Sequence, residues 1–396
     1  MFIKNSNIVT ADKVITNAVL VIEDAKIAGI TQTIEIPEAA DVIDADGGYV
    51  VPGFIDIHIH GGGGYDFMDG TLEGFNSIGD IHCKHGTTSM VPTTVACTEK
   101  ELFSLFPIFR KAVANSKTVQ FLGMHLEGPF ISFEMKGAQR ADCIITPSDY
   151  IVDKILDYAG DIVIRCSGAP EIEGMKKVGK KMVDRGILMA VAHSNATCEQ
   201  ILEAYDYGFS HITHLYCSTP SVRKVNQKVH AGVVEAAYLL DDMTVEIIGD
   251  GVHIPKELMQ MVVKFKGAGK TVIISDAMRA AGTNATESYL GSGASKNPVI
   301  IEGCVAKLPD RSSFAGSVAT SDAIFRNAVL LNGLSIIDVC KMMSLTPAKI
   351  IGVDSRKGSI KKGKDADIVV MNKKLEVEKV FVKGKIVFNN IASNSH

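Results

Sequence analysis

Gly53-Phe54-Ile55-Asp56-Ile57-His58-Ile59-His60 opens the long middle of the chain and runs into four glycines at 61–64. The segment predicts a short strand over 53–58 that ends in a histidine pair. Side chains two residues apart share one face of a strand, so both imidazoles can reach a single ion. Seven further apolar strands are predicted over 88–93, 120–127, 162–170, 186–193, 211–215, 244–249 and 270–276. Amphipathic stretches at 71–84, 99–114, 147–158, 172–185, 197–207 and 255–265 fall between them. Strands alternating with helices predict parallel βα units, and eight strands is the number that closes a barrel. Beyond the eighth strand, 302–309 and 312–315 predict a hairpin, followed by helices over 320–332 and 335–345.

Both ends of the chain have a different texture. Apolar alternation at 8–10, 18–23 and 26–30 is matched near the other terminus by 366–371, 377–382 and 385–388. The expected architecture is therefore α/β: a (β/α)8 TIM barrel over 52–354 with a small β-sandwich domain assembled from 1–51 and 355–396. A length of 396 residues suits a barrel of roughly 250 residues with such a companion. Net charge is −4 and Trp is absent, so neither the basic footprint nor the stacking platforms of a nucleic-acid binder are present. No apolar run approaches the roughly 20 residues of a membrane helix, and the N-terminus lacks the apolar core of a signal peptide. Eight scattered cysteines without a C-x-x-C read as reduced thiols of a cytoplasmic protein.

Four other predicted strands end in a residue able to ligate a metal or move a proton: Glu127, His193, His214 and Asp276. A barrel places its strand C-termini around one rim. Together with His58 and His60, five strand ends thus converge on one point. Singly, each has a plainer reading, since a strand-end Glu or Asp can cap the next turn and a strand-end His can donate to a loop carbonyl. His82 and His85 fall on or after the first helix and read as surface or packing residues far from the rim. His125 shares the face of Glu127 one layer deeper, where packing and a supporting role compete, and His211 points away from the ion. Gly267–Thr271 ends like a phosphate loop but lacks its first glycine and precedes a strand. No G-x-S-x-G elbow occurs.

At these residues the sequence resembles the N-acetylglucosamine-6-phosphate deacetylases of the amidohydrolase superfamily. The resemblance is carried by PGFIDIHIHGGGGYDF (52–67), GTTSMVPT (86–93), HLEGPFIS (125–132) with KGA (136–138), AHSNAT (192–197), THLY (213–216), GDGVH (249–253), SDAM (275–278), AGS (315–317), LTPAKIIGV (345–353) and KGSIKKGKDADIVV (357–370). It implies that Glu127, His193 and His214 hold the main divalent ion and that His58 and His60 hold a second, bridged through Glu127. It implies Asp276 as the proton-transfer residue and His253 as the substrate-orienting one. Ala138, Ser218, Phe314, Ala315 and Gly316 stand where the family contacts the sugar. Two positions depart from the pattern: Gln139 stands for the family's His, and Cys217 for its Asn. Arg223 or Lys224, with Lys228 and His230 nearby, offers the cation for a sugar phosphate.

The function so implied is metal-dependent hydrolysis of an N-acetyl amino sugar phosphate to the free amine and acetate. The small-molecule sugar is the expected partner, the subunits are expected to pair as a homodimer or higher oligomer, and neither nucleic acid nor membrane is expected. One or two ions per subunit, Zn, Fe, Co or Mn, suit histidine and carboxylate ligands. Two alternatives stand beside this reading: an amidohydrolase for a different N-acyl sugar or N-acyl amino acid, and a metal-binding regulatory paralogue without activity.

Overall fold

A computed structural model describes residues 1–33, 35–293 and 296–390. Residues 391–396 of the expected small domain lie outside the described residues. The eight expected parallel strands form as nine, in two separate parallel arcs. Phe54–Ile59, Thr87–Pro92 and Gln120–Phe121 pair as one parallel arc. Met124–Glu127, Val163–Gly168, Leu188–Val191, Phe209–Ile212, Thr244–Ile248 and Thr271–Ile274 pair as a second.

The expected strand over 120–127 is thus two strands. The break falls at Gly123, whose φ is 154° and where a Cβ would stand 2.6 Å from the Ile164 side chain. Only glycine allows the chain to jog there and change arcs. Hydrogen bonds cross both seams between the arcs: Thr94 N–H donates to the His125 carbonyl at 3.0 Å, and Asp276 N–H to the His58 carbonyl at 3.1 Å. Helices cover the outside, and their starts follow side-chain chemistry. Thr71 caps Leu72–Lys84, Thr98 and Glu101 form a capping box for Glu99–Asn115, and Thr197 with Gln200 does the same for Cys198–Tyr205. Val233–Leu239 is a helix that the sequence reading passed over, being only seven residues long.

The hairpin expected near 302–315 is part of a larger sheet. Glu287–Leu290, Asn297–Glu302, Val305–Lys307 and Phe314–Ser317 pair antiparallel in sequence order. Both ends of the chain join in one eight-stranded sheet. Ile368–Met371 pairs antiparallel with Tyr49–Pro52, the strand that leads directly into Phe54–Ile59. One face of that sheet buries Ile3, Ile8, Leu20, Ile22, Val50, Ile368 and Phe381 in a core of its own, while Val9, Val51, Val369 and Met371 belong to the main core. Burial at roughly 25 cal/mol per Å2 of apolar surface makes each core worth forming, and the shared sheet ties them together. Among the described residues, no helix is long and apolar enough to cross a membrane, and the eight cysteines are free.

Candidate metal centre and active-site cavity

Three of the site residues occupy the same place on three strands of the second arc. His193, His214 and Asp276 each lie two residues beyond a strand end, after Val191, Ile212 and Ile274. Their φ values are 45°, 29° and 47°. Non-glycine residues enter that region rarely, at about 1–3 kcal/mol each, and such strain gathers at functional sites. The turn swings each side chain inward over the strand ends. Glu127 closes its strand directly, and His58 and His60 leave theirs on one face.

All six residues are at least nine-tenths buried. Oε1 of Glu127 lies 3.0 Å from His214 Nε2, 3.3 Å from His193 Nε2 and 3.4 Å from His58 Nε2. Oε2 lies 3.5 Å from His60 Nε2. Asp276 Oδ1 faces the same rings, 3.2 Å from His60 Nε2 and 3.4 Å from His58 Nε2. The second nitrogens are engaged behind: His193 Nδ1 donates to the Met135 carbonyl at 2.8 Å, His214 Nδ1 to the Cys217 carbonyl at 3.0 Å, and His58 Nδ1 to Glu246 at 3.2 Å. A neutral imidazole that donates from Nδ1 keeps its Nε2 lone pair for a ligand. Two groups, His58 with His60 and Glu127, and Glu127 with His193 and His214, have ligand atoms within 4.8 Å of one another. That donor set fits a divalent ion.

The charges are mutually adjusted. Burial pushes the Glu127 carboxyl up, yet the surrounding imidazoles His58, His193 and His214 hold it well below the usual carboxylate range. Burial pushes His60 down, but its bond to Asp276 and the charges of Glu127, Asp276 and Asp66 carry it up to about 9. Asp276, raised by burial, is brought below its ordinary value by His60, His58 and His214.

A cavity of about 330 Å3 opens onto the cluster. Ala138, Gln139, Cys217, Ser218, His253, Phe314, Ala315 and Gly316 line it, together with Tyr216, Ser312 and Ser313. His253 Nδ1 meets the Asp250 carboxylate at 2.6 Å, and its ring packs on Phe314 at 4.5 Å. Gly316, with φ of 83°, lets its strand close on Asp276: a Cβ there would stand 2.8 Å from the Asp276 carbonyl, which accepts Ser317 N–H at 2.8 Å.

Three expectations need correction. Gln139 does line the cavity, but its amide is occupied: Nε2 donates to Glu127 Oε2 at 2.7 Å and Oε1 accepts Ala96 N–H at 2.7 Å. Arg223 and Lys224 sit on a hairpin strand, Arg223–Val225, outside the lining. Arg223 bonds Asn195 instead, and among the described residues no lysine or arginine lines the cavity. His82 is not remote, since its Nε2 lies 2.9 Å from the Gly61 carbonyl beside the histidine pair. His125 supports from below through Ser167 and Thr93, and His211 turns away toward Glu246.

Arg165, Glu246 and Asp250 were missed in the sequence. The available signal was a charge inside an otherwise apolar strand, as in Val163–Gly168 and Thr244–Ile248, because such residues are almost never fully buried unless paired.

The profile of the amidohydrolase family matches residues 49–387. An N-acetylglucosamine-6-phosphate deacetylase of Lysinibacillus sphaericus is 32% identical over 98% of this chain and 97% of its own. One of Bacillus subtilis is 31% identical over 98% and 97%. Among solved structures, the N-acetylglucosamine-6-phosphate deacetylase of Pasteurella multocida superposes with a TM-score of 0.91 at 29% identity, covering 98% of this chain and 99% of its own.

Proposed function

Because the chain belongs to the amidohydrolase family, we propose that it hydrolyses the acetamide of N-acetylglucosamine-6-phosphate, releasing glucosamine-6-phosphate and acetate. The observation that carries this reading is the convergence of four imidazoles and Asp276 on Glu127 at the floor of a sugar-sized cavity. Glu127, His193 and His214 are the residues to hold the principal ion, and His58 with His60 a second. When bound, a divalent ion acidifies water and polarises a carbonyl oxygen. Asp276 takes the proton of the attacking water and returns it to the departing nitrogen, which cannot leave as an anion. His253, fixed by Asp250, turns its free nitrogen to the forming oxyanion or the sugar. Ala138, Cys217, Ser218 and the 314–316 backbone contact the sugar, and Gln139 holds Glu127 rather than phosphate.

The same reading has the two arcs closing as one (β/α)8 barrel over 52–354, with the terminal sheet folding as a sandwich over 1–51 and 355–396. It places the protein in the cytoplasm as a homodimer. The test is release of free amine from N-acetylglucosamine with and without 6-phosphate, using protein stripped of metal and reloaded with Zn, Fe, Co or Mn. A markedly higher kcat/KM for the phosphorylated sugar is expected. A ratio near one would remove phosphate from the proposal.

A further inference from the structure

Beneath the histidine cluster lies a layer of charge for which the proposed chemistry has no task. Arg165 and Glu246 are fully buried, and charges there are costly to desolvate unless paired and bonded. Glu246 Oε1 meets the Arg165 guanidinium and lies 3.3 Å from His211 Nε2. Its other oxygen lies 3.2 Å from His58 Nδ1 and accepts His214 N–H at 3.4 Å. Arg165 in turn donates to the Ile57 carbonyl at 3.2 Å and to Thr213 Oγ1 at 2.7 Å. Ile57 precedes His58, and Thr213 precedes His214. The pair therefore grips two metal-ligand segments from below.

An ion pair serving stability alone gains nothing from this aim, since apolar replacement of buried pairs is often neutral. We propose that Glu246 is a positioning residue for the metal site: its carboxylate accepts Nδ1–H of His58 and so presents Nε2 of that ring as a ligand, with Arg165 as the countercharge that keeps the carboxylate in place. The inference rests on the reading of His58 as a ligand. A neutral imidazole carries one N–H, and holding it at Nδ1 leaves Nε2 as the acceptor. The contrast with the neighbouring ring is direct, because buried His60 Nδ1 has no hydrogen-bond partner among the described residues. Glu246 thus acts on one histidine of the pair. Loss of such an outer partner typically weakens metal binding about 10–100-fold.

Cobalt titration of metal-free protein tests this, with bound cobalt per subunit and the visible absorption of the complex as readouts. Glu246→Gln keeps its carbonyl oxygen on Arg165, whose guanidinium can only donate, and turns its NH2 group to His58, so the acceptor for Nδ1–H is lost. Cobalt binding weaker by about 10-fold or more, with an altered visible band, is expected. In a His58→Ala background the same substitution should cost markedly less, only what the contact to His214 N–H contributes, which separates positioning from a general loss of structure. If Glu246→Gln does not fold, Glu246→Asp gives the same readouts, because it keeps the charge opposite Arg165 but withdraws the carboxylate from His58. Wild-type affinity and spectrum in the variant, or an equal loss with and without His58, would overturn the proposal. Wild-type protein that takes up no cobalt would overturn the metal reading along with it.

Discussion

Asp276→Asn isolates the proton-transfer step. Its backbone is held by Asp276 N–H to the His58 carbonyl and by Ser317 N–H to its own carbonyl, and neither bond uses the side chain. Asparagine has the same shape and tolerates the φ of 47° that this position requires. The fold and the four imidazoles around Glu127 should therefore persist, and metal content with them. What changes is Oδ1, which faces His60 Nε2 at 3.2 Å and opens onto the cavity. An amide cannot take up the proton of water, so the variant forfeits general acid–base catalysis, about 10²–10⁴-fold in kcat. At 1.36 kcal/mol per decade, the barrier rises by about 2.7–5.4 kcal/mol. The assay is steady-state release of amine from N-acetylglucosamine-6-phosphate, alongside metal analysis and thermal melting of the same preparation. KM should move little, because the sugar contacts lie elsewhere. A kcat within a few-fold of wild type, in protein with unchanged metal, would refute the assignment and move proton transfer to His253.

Chelation should abolish turnover and a divalent ion should restore it; full activity in protein shown to be metal-free would end the metal reading. Removing a ligand by His214→Ala should lower both bound metal by elemental analysis and kcat, the latter by at least about 100-fold if the ion supplies activated water. Phe54, 1% exposed and stacked on Phe325 with ring centroids 5.2 Å apart, anchors the first parallel strand. Phe54→Ala should cost about 3–5 kcal/mol in urea unfolding; a loss below about 1 kcal/mol would show that the site collapses around the gap. Asp322 gives a pH test away from the metal. Burial raises its carboxyl, but the bonds from His85 and Thr320 and the charge of Arg326 hold it far below the ordinary 3.8. A depressed folded value means that its contribution is full above about 3.8 and is lost as pH falls toward the folded value. Asp322→Asn should therefore lower stability by about 1–3 kcal/mol at pH 7, and the gap should narrow only below the ordinary carboxylate range. A gap independent of pH down to acid unfolding would contradict it.

The sequence by itself determined the main alternation of strands and helices and the identity of the chemical groups. Periodicity is local, and residues such as His193, His214 and Asp276 announce themselves by standing where apolar runs stop. The resemblance of HLEGPF, AHSNAT and THLY supplied the rest of the proposed ligand set. What the tertiary structure alone decided lies in the contacts between segments far apart in the chain. Nothing local says that Gly123 splits a strand between two arcs, because the reason is the Ile164 side chain some forty positions on. Nothing local says that Gln139 spends its amide on Glu127, that Arg223 turns to Asn195 rather than to the cavity, or that Glu246 reaches His58 across 188 positions. A side chain's identity fixes what it can bond, but which partner stands within about 3 Å depends on how the strands come together.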